Sequence, residues 1–335
     1  MRKLLKNIVC IILCASSLHA VDKTGTTAAD FLSINVGSQA IGMGGAFTSV
    51  ANDATAMYWN PAGLSFYDIK EVYLNHSNWI ADIAFDYFGV TLPIRGGHVF
   101  GLNITSVTMA DMNVTRYGNE DTDETFSAAD YAIGVTYSVN LTDRFSIGFN
   151  GKYIQETIAN NHANGVALDV GTLFTTPFGF RLGTSISNFG PKMGMTGDDL
   201  LVPVDVNETI NGNNESVTGY LSTDYFDLPL VLRAGISDDI LLGNLGRLTW
   251  AMDANNPNDN SMYMNIGAEV GLFKDIFVIR VGANSLFMND REKKYSLGCG
   301  INVPSSFGGI LHFNYSFETL SHLGDFHQIS LHISY

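Results

Sequence analysis

Residues 326–335 read FHQISLHISY. On an extended chain Ile329, Leu331, Ile333 and Tyr335 share one face, and Gln328, Ser330, His332 and Ser334 share the other. A period of two marks a strand whose faces meet unlike surroundings. The same split recurs upstream. In RFSIGFNGKYI (144–154), Phe145, Ile147, Phe149 and Tyr153 oppose Ser146, Gly148, Asn150 and Lys152. In KDIFVIRVGAN (274–284), Phe277, Ile279, Val281 and Ala283 oppose Arg280, Gly282 and Asn284. Tyr295, Leu297, Cys299, Ile301 and Val303 likewise oppose Lys294, Ser296, Gly298 and Asn302.

Extending this reading gives strands near 72–79, 85–94, 98–109, 126–141, 145–158, 165–176, 180–189, 227–241, 246–254, 262–273, 276–286, 294–303, 308–318 and 326–335. Fourteen is an even number, as a closed bacterial outer-membrane barrel requires. Every second link is a tight turn, at 95–97, 142–144, 177–179, 242–245, 274–275 and 304–307. The intervening links include the longest ones, at 110–125, 159–164, 190–226, 255–261 and 287–293. Turns at one end and loops at the other fit periplasmic and extracellular sides. The predicted fold is therefore all-β, a 14-stranded antiparallel transmembrane barrel. Its apolar residues point to outer-membrane lipid, and Lys152, Arg233, Glu269, Arg280 and Glu318 point into the lumen. There they make a hydrated network or contact a substrate.

The chain has 335 residues, 46% hydrophobic and 15% charged, with 34 glycines. Low charge with abundant Gly, Tyr and Phe suits a closed β-structure facing an apolar solvent. At the N-terminus Arg2, Lys3 and Lys6 precede an apolar run and then small residues ending at Ala20, a secretory signal layout over residues 1–20. Its removal takes three of the 18 basic residues. The 15 that remain face 33 acidic ones, a net charge of about −18 that argues against nucleic acid as a partner. Cys299 is then the one cysteine left, so neither an intrachain disulfide nor a cysteine metal site is available. No later stretch is apolar for 18 residues, as a membrane-spanning helix requires.

No constellation supports an enzyme or a cofactor. Gly42, Gly44 and Gly45 in GMGGAF lack the Gly-Lys-Ser/Thr of a phosphate loop and the spacing of a dinucleotide fingerprint. His322, His327 and His332 do not share a strand face, and DANNPNDNSM (253–262) lacks ordered calcium-loop spacing. No Gly-x-Ser-x-Gly elbow occurs. The 190–226 connection is long enough to act as a lid, plug or partner contact, or as a solubilising loop.

The stretch GSQAIGMGGAFTSVANDATAMYWNPAGL (37–64) resembles the N-terminal segment of FadL-like outer-membrane proteins, most closely the PorV/PorQ branch. Ala40, Gly42, Met43, Gly44, Gly45, Ala46 and Phe47 match its opening, and Asp53 and Ala54 its core. Trp59, Asn60, Pro61, Ala62, Gly63 and Leu64 match its end. The ending, with Ile329, Leu331, Ile333 and Tyr335, resembles that branch and the signal read by the barrel-insertion machinery. The resemblance implies a signal peptide at 1–20, an inward-folded hatch at 21–70 and a barrel over 71–335. It implies residence in the outer membrane of a diderm bacterium. It also implies transport of hydrophobic molecules such as long-chain fatty acids or, in PorV-like members, service to type IX secretion by binding secreted cargo proteins. Small residues at Gly42, Gly44, Gly45 and Ala46 suit close backbone approach, and Asn60-Pro61 ends a helical piece.

Overall fold

The computed structural model describes residues 25–118, 122–205, 217–243, 246–288, 291–306, 308–322 and 324–335. The signal layout at 1–20 lies outside the described residues. Fourteen long strands follow one another. They are β1 (Glu71–Asn78), β2 (Ala84–Ile94), β3 (His98–Thr108), β4 (Ala128–Thr142), β5 (Phe145–Ile158), β6 (Asn161–Thr175) and β7 (Arg181–Phe189). The second half comprises β8 (Val231–Leu241), β9 (Gly246–Pro257), β10 (Tyr263–Leu272), β11 (Phe277–Leu286), β12 (Lys293–Pro304), β13 (Ile310–Leu320) and β14 (Gly324–Ser334). Each strand pairs antiparallel with its sequence neighbours, and β1 pairs β14 from Glu71–Ser334 to Asn78–His327, closing the barrel. Closure leaves no edge unpaired, the condition for crossing lipid.

The two faces are inverted relative to a soluble protein. On β14, Ile329 is 59% exposed and Ser330 only 1%. Along β1, Glu71, Tyr73, Asn75 and Ser77 are buried while Val72, Leu74 and His76 are exposed. Cys299 lies on the outer face of β12.

The connections depart from the sequence expectation at two places. The link expected at 159–164 is only Ala159 and Asn160, with Ala159 at φ 51°. The polar residues after it do not form a loop. Asn161 to Asn164 continue the ladder with β5, and Asp199 of the next long connection accepts hydrogen bonds from Asn160 and Asn161. The eighth strand starts at Val231 and not at 227, because Pro229 cannot donate to a ladder. The 190–226 connection carries a small ribbon, Leu201–Val204 against Val217–Tyr220. Its two ends fold back over the outer half of β6, where the β6–β7 pairing shifts register at Leu168/Val170. There Met193 and Leu228 pack with Ala163 and Ala167 of β6 and with Ala29, Phe31 and Leu32.

Residues 30–68 pack against the inner wall as short pieces: a 3-10 turn Asp30–Ser33, then α1 (Ser38–Gly42), α2 (Ala56–Trp59) and α3 (Gly63–Phe66). Gly44 and Gly45, at φ 69° and 70°, reverse the chain after α1. Their N–H groups donate to Ile41 and Ala40 carbonyls, which caps the helix. Asn60 is extended ahead of Pro61 and ends α2, as a residue before proline must. Trp59 donates its indole N–H to the Val36 carbonyl and meets Phe47 edge-on, tying both halves of the segment together.

The wall meets this segment with inward-facing glycines on successive strands. Gly89 and Gly101 lie against Met57, Gly148 against the Pro61–Ala62 backbone, and Gly171 against Asn60. Gly183 lies under Thr48 and Ser49, Gly235 under Ser49, Gly267 under the Met43 carbonyl, Gly282 under Gly44 and Gly298 under Gly42. A Cβ at Gly148, Gly183, Gly267 or Gly282 would overlap the segment's backbone. The glycines are therefore a fitted seat, and they account for part of the unusual glycine content.

Two outcomes test this architecture. Ile329→Arg, near the middle of the outer face, is expected to cost roughly 2–4 kcal/mol in unfolding from lipid bilayers. A cost near zero contradicts a lipid-facing Ile329. Gly183→Val is expected to cost about 1–3 kcal/mol through overpacking and to open residues 30–68 to protease while the barrel persists. Unchanged stability and unchanged protease resistance contradict the seat.

Candidate functional site: the closed lumen

Three acidic side chains of the wall hold the segment. Asp253 of β9 accepts the N–H groups of Phe47 and Thr48, each at 2.8 Å. Glu71 of β1 accepts the Ala54 N–H, and Glu269 of β10 accepts the Gln39 amide at 3.1 Å. A buried N–H left without an acceptor costs roughly 1–3 kcal/mol, so each of these carboxyl oxygens fixes the segment at its donor. The segment thus offers backbone donors that no helix satisfies, and the wall supplies carboxylates at those points. Asn60 donates to the Thr48 carbonyl at 2.8 Å and to the Thr172 carbonyl of β6 at 3.0 Å, linking segment and wall through one amide. Asp53 does not reach the wall. It accepts the Thr55 N–H and hydroxyl and shapes the turn into α2.

Arg233, Glu269, Arg280 and Glu318 are buried and Lys152 is half-buried, but they do not form one cluster. Lys152 pairs with Asp169 at 2.8 Å. Arg280 and Glu269 are brought together at 2.7 Å, and Arg247 reaches the other Glu269 oxygen at 2.8 Å. Glu318 receives Lys293 at 3.4 Å. Arg233 lies over the rings of Tyr58 and Trp59, 5.4 and 5.3 Å from their centres, and donates to Ser187 at 2.8 Å. Of the C-terminal residues, Ile329, Leu331 and Ile333 sit on the face opposite buried Gln328, Ser330 and His332. Tyr335 caps the turn end, its N–H on the Lys70 carbonyl and its ring under the Lys70 ammonium. The three C-terminal histidines have separate partners: Glu292 for His322, Tyr315 for His327 and Glu71 for His332. Among the described residues no group of three or more His, Cys, Asp or Glu is arranged to hold a metal.

Sequence reasoning missed Asp253, Glu71 and the wall glycines. The signal for Asp253 was an acidic residue on the polar face of a strand (Thr249, Asp253, Asn255) with no opposite charge beside it. The glycines carried no local signal, because their partner lies on average a hundred or more residues away along the chain.

The segment divides the lumen into two cavities. At the loop end lies one of about 620 Å³, bordered by Leu32, Trp59, Val231, Arg233, Asn255 and Tyr263. At the turn end lies one of about 530 Å³, bordered by Asp53, Glu71, Glu269, Arg280, His312 and His332. Gln39 and Asn52 border the second and Gly44 and Trp59 the first. The arrangement can admit a small molecule from either end, and residues 39–52 stand between.

Comparison with known proteins places this geometry. The fold is similar to that of the Pseudomonas putida toluene transporter TodX, at 10% identity and TM-score 0.55, over 90% of this chain and 97% of that one. It is similar to the CymD monoaromatic hydrocarbon channel, at 13% identity and TM-score 0.55, over 90% and 96%. It is also similar to a Pseudomonas aeruginosa FadL homologue, at 12% identity and TM-score 0.51, over 95% and 98%. No curated protein sequence matches the chain. The family model for "Type IX secretion system protein PorV" matches residues 18–207, which takes in the N-terminal segment and β1 to β7. The chain is an outer-membrane β-barrel with a fold similar to that of these channels, and it belongs to the PorV family.

Proposed function

We propose that the protein binds hydrophobic molecules of the long-chain fatty acid kind and passes them through a lumen gated by its N-terminal segment. The observation that carries this reading is the segment itself. It separates two cavities and is held to the wall by side-chain hydrogen bonds and close contact, not by pairing into the barrel sheet. Such contacts can be broken and remade. A ligand entering at the loop end meets Leu32, Trp59 and Val231 first. A shift of residues 39–52 would then join the two cavities. The fold neighbours support the reading, being described as a toluene transporter and a monoaromatic hydrocarbon channel. Neither the family nor the neighbours are enzymes by description.

A second reading, an accessory role in type IX secretion, is favoured by the family match. On it, secreted cargo meets the loop end, where Leu201, Val204, Val217, Tyr220 and Tyr225 of the long connection are exposed.

The readings separate by experiment. Lipid vesicles containing the protein are expected to take up oleate faster than empty vesicles, and equal rates contradict transport. Asp253→Ala leaves two buried donors without an acceptor, at roughly 1–3 kcal/mol each. It is expected to loosen the segment and raise ion conductance in planar bilayers, and conductance equal to wild type contradicts gating at this point. For the second reading, affinity capture from outer membranes is expected to recover secreted proteins sharing a C-terminal domain. A source genome without type IX machinery contradicts it.

A further inference from the structure

Three adjacent strands of the wall, β13, β14 and β1, present no glycine to the N-terminal segment. Their inward side chains at that level are polar: Ser316 on β13, Gln328 and Ser330 on β14, Asn75 and Ser77 on β1. The register gathers them into one patch, with Asn75 opposite Ser330, Ser77 opposite Gln328, and Gln328 opposite Ser316. All are deeply buried, Asn75 at 4% exposure, Ser77 at 2%, and Ser316 and Gln328 at 0%. Yet neither amide atom of Asn75 or of Gln328 has a hydrogen-bond partner, nor has the hydroxyl of Ser77 or Ser316. Among the described residues no other buried side-chain amide is left unpartnered at both atoms. The segment's Ser38 hydroxyl donates to the backbone carbonyl of Gln328 at 3.1 Å, and to none of these side chains.

The patch reaches both cavities. Toward the turn end it continues through Ser330 and Tyr73 to His332, which borders the cavity there. Toward the loop end, Glu318 follows Ser316 on the same face of β13 and holds Asn284 and Lys293, both on the loop-end cavity. A polar strip thus runs from one cavity to the other, behind α1, whose Ile41 packs beside it on Leu320 and Phe326.

Unpartnered buried amides and hydroxyls raise the free energy of the seated segment, and they regain hydrogen bonds only when α1 lifts away. The opposite side is anchored, because Asp253 of β9 holds the Phe47 and Thr48 N–H groups. We infer that the segment parts from the wall along β13, β14 and β1, and that the strip so bared passes small uncharged polyols between the two cavities. Amides and hydroxyls both donate and accept, as polyol hydroxyls do. An apolar chain would leave both amides unpaired, and an ion would find no charge in the middle of the strip to balance it. The inference rests on the reading that the segment can leave the wall, and it adds a second class of permeant on a separate path.

The test is isosmotic swelling of liposomes containing the full-length protein, with erythritol as the permeant and the tetrasaccharide stachyose as the leakage control. Swelling in erythritol is expected to exceed that of empty liposomes, and swelling in stachyose is not. Asn75→Leu and Gln328→Met replace unpartnered amides by apolar groups of similar size. Each is expected to slow erythritol entry roughly 3–10-fold, the worth of about one hydrogen bond in the barrier. Each is also expected to melt no lower than wild type, an outcome that side chains with a bonded structural role would not give. Where one variant does not fold, the other decides. No erythritol entry, equal entry of stachyose, entry unchanged by both substitutions, or lower melting or loss of folding in both, overturns the strip. Oleate uptake without erythritol entry overturns the strip and leaves hydrophobic transport standing, and erythritol entry without oleate uptake does the reverse.

Discussion

Backbone lies directly on backbone where residues 42–62 meet the wall, and that close approach governs the rest of the molecule. It is possible only because β2, β3, β5, β6, β7, β8, β10, β11 and β12 each present a glycine inward at the level of the segment. Wall and segment thus form one close-packed interior, with Ala40, Met43, Phe47, Met57 and Leu64 fully buried. Protein interiors tolerate little added volume. The inner face of this barrel is consequently tuned to a single occupant, its own N-terminal segment, and what remains of the lumen is reduced to a cavity at each end.

Polar groups then decide how that occupant is held. Lipid outside offers no hydrogen bonds, so the polar side chains of the strands turn mostly inward. The segment arrives with short helices and therefore many backbone donors unsatisfied. Asp253 and Glu71 meet those donors, while Asn60 and Gln39 supply side-chain links in the other direction. Attachment by carboxylates and amides is strong collectively and reversible individually. That combination is what the proposed gating requires, a closure that sits firmly and can be released.

Much of the barrel is legible in the sequence because each strand states its two faces locally. The alternation around Phe145 and Phe277 and in the last ten residues is visible without any partner, and the observed strands differ from it mostly by a few residues. It fails where the outer-end turns begin. Asn161 to Asn164 look like a loop by composition, yet pairing with β5 outweighs composition. The inward direction of Lys152, Arg233, Glu269, Arg280 and Glu318 follows from the same period. Their partners do not, since Arg280–Glu269 needs the register of β10 on β11. The glycine seat is the least legible feature, because a wall glycine and the segment it receives meet only after closure.

Amide hydrogen exchange over residues 36–64, measured on the folded barrel, tests the seated segment most directly. Phe47, Thr48 and Ala54 donate to buried wall carboxylates, so their protection is expected to match that of amides in the central strands. Exchange of these amides at the rate of the exposed loops would contradict a segment seated on the wall.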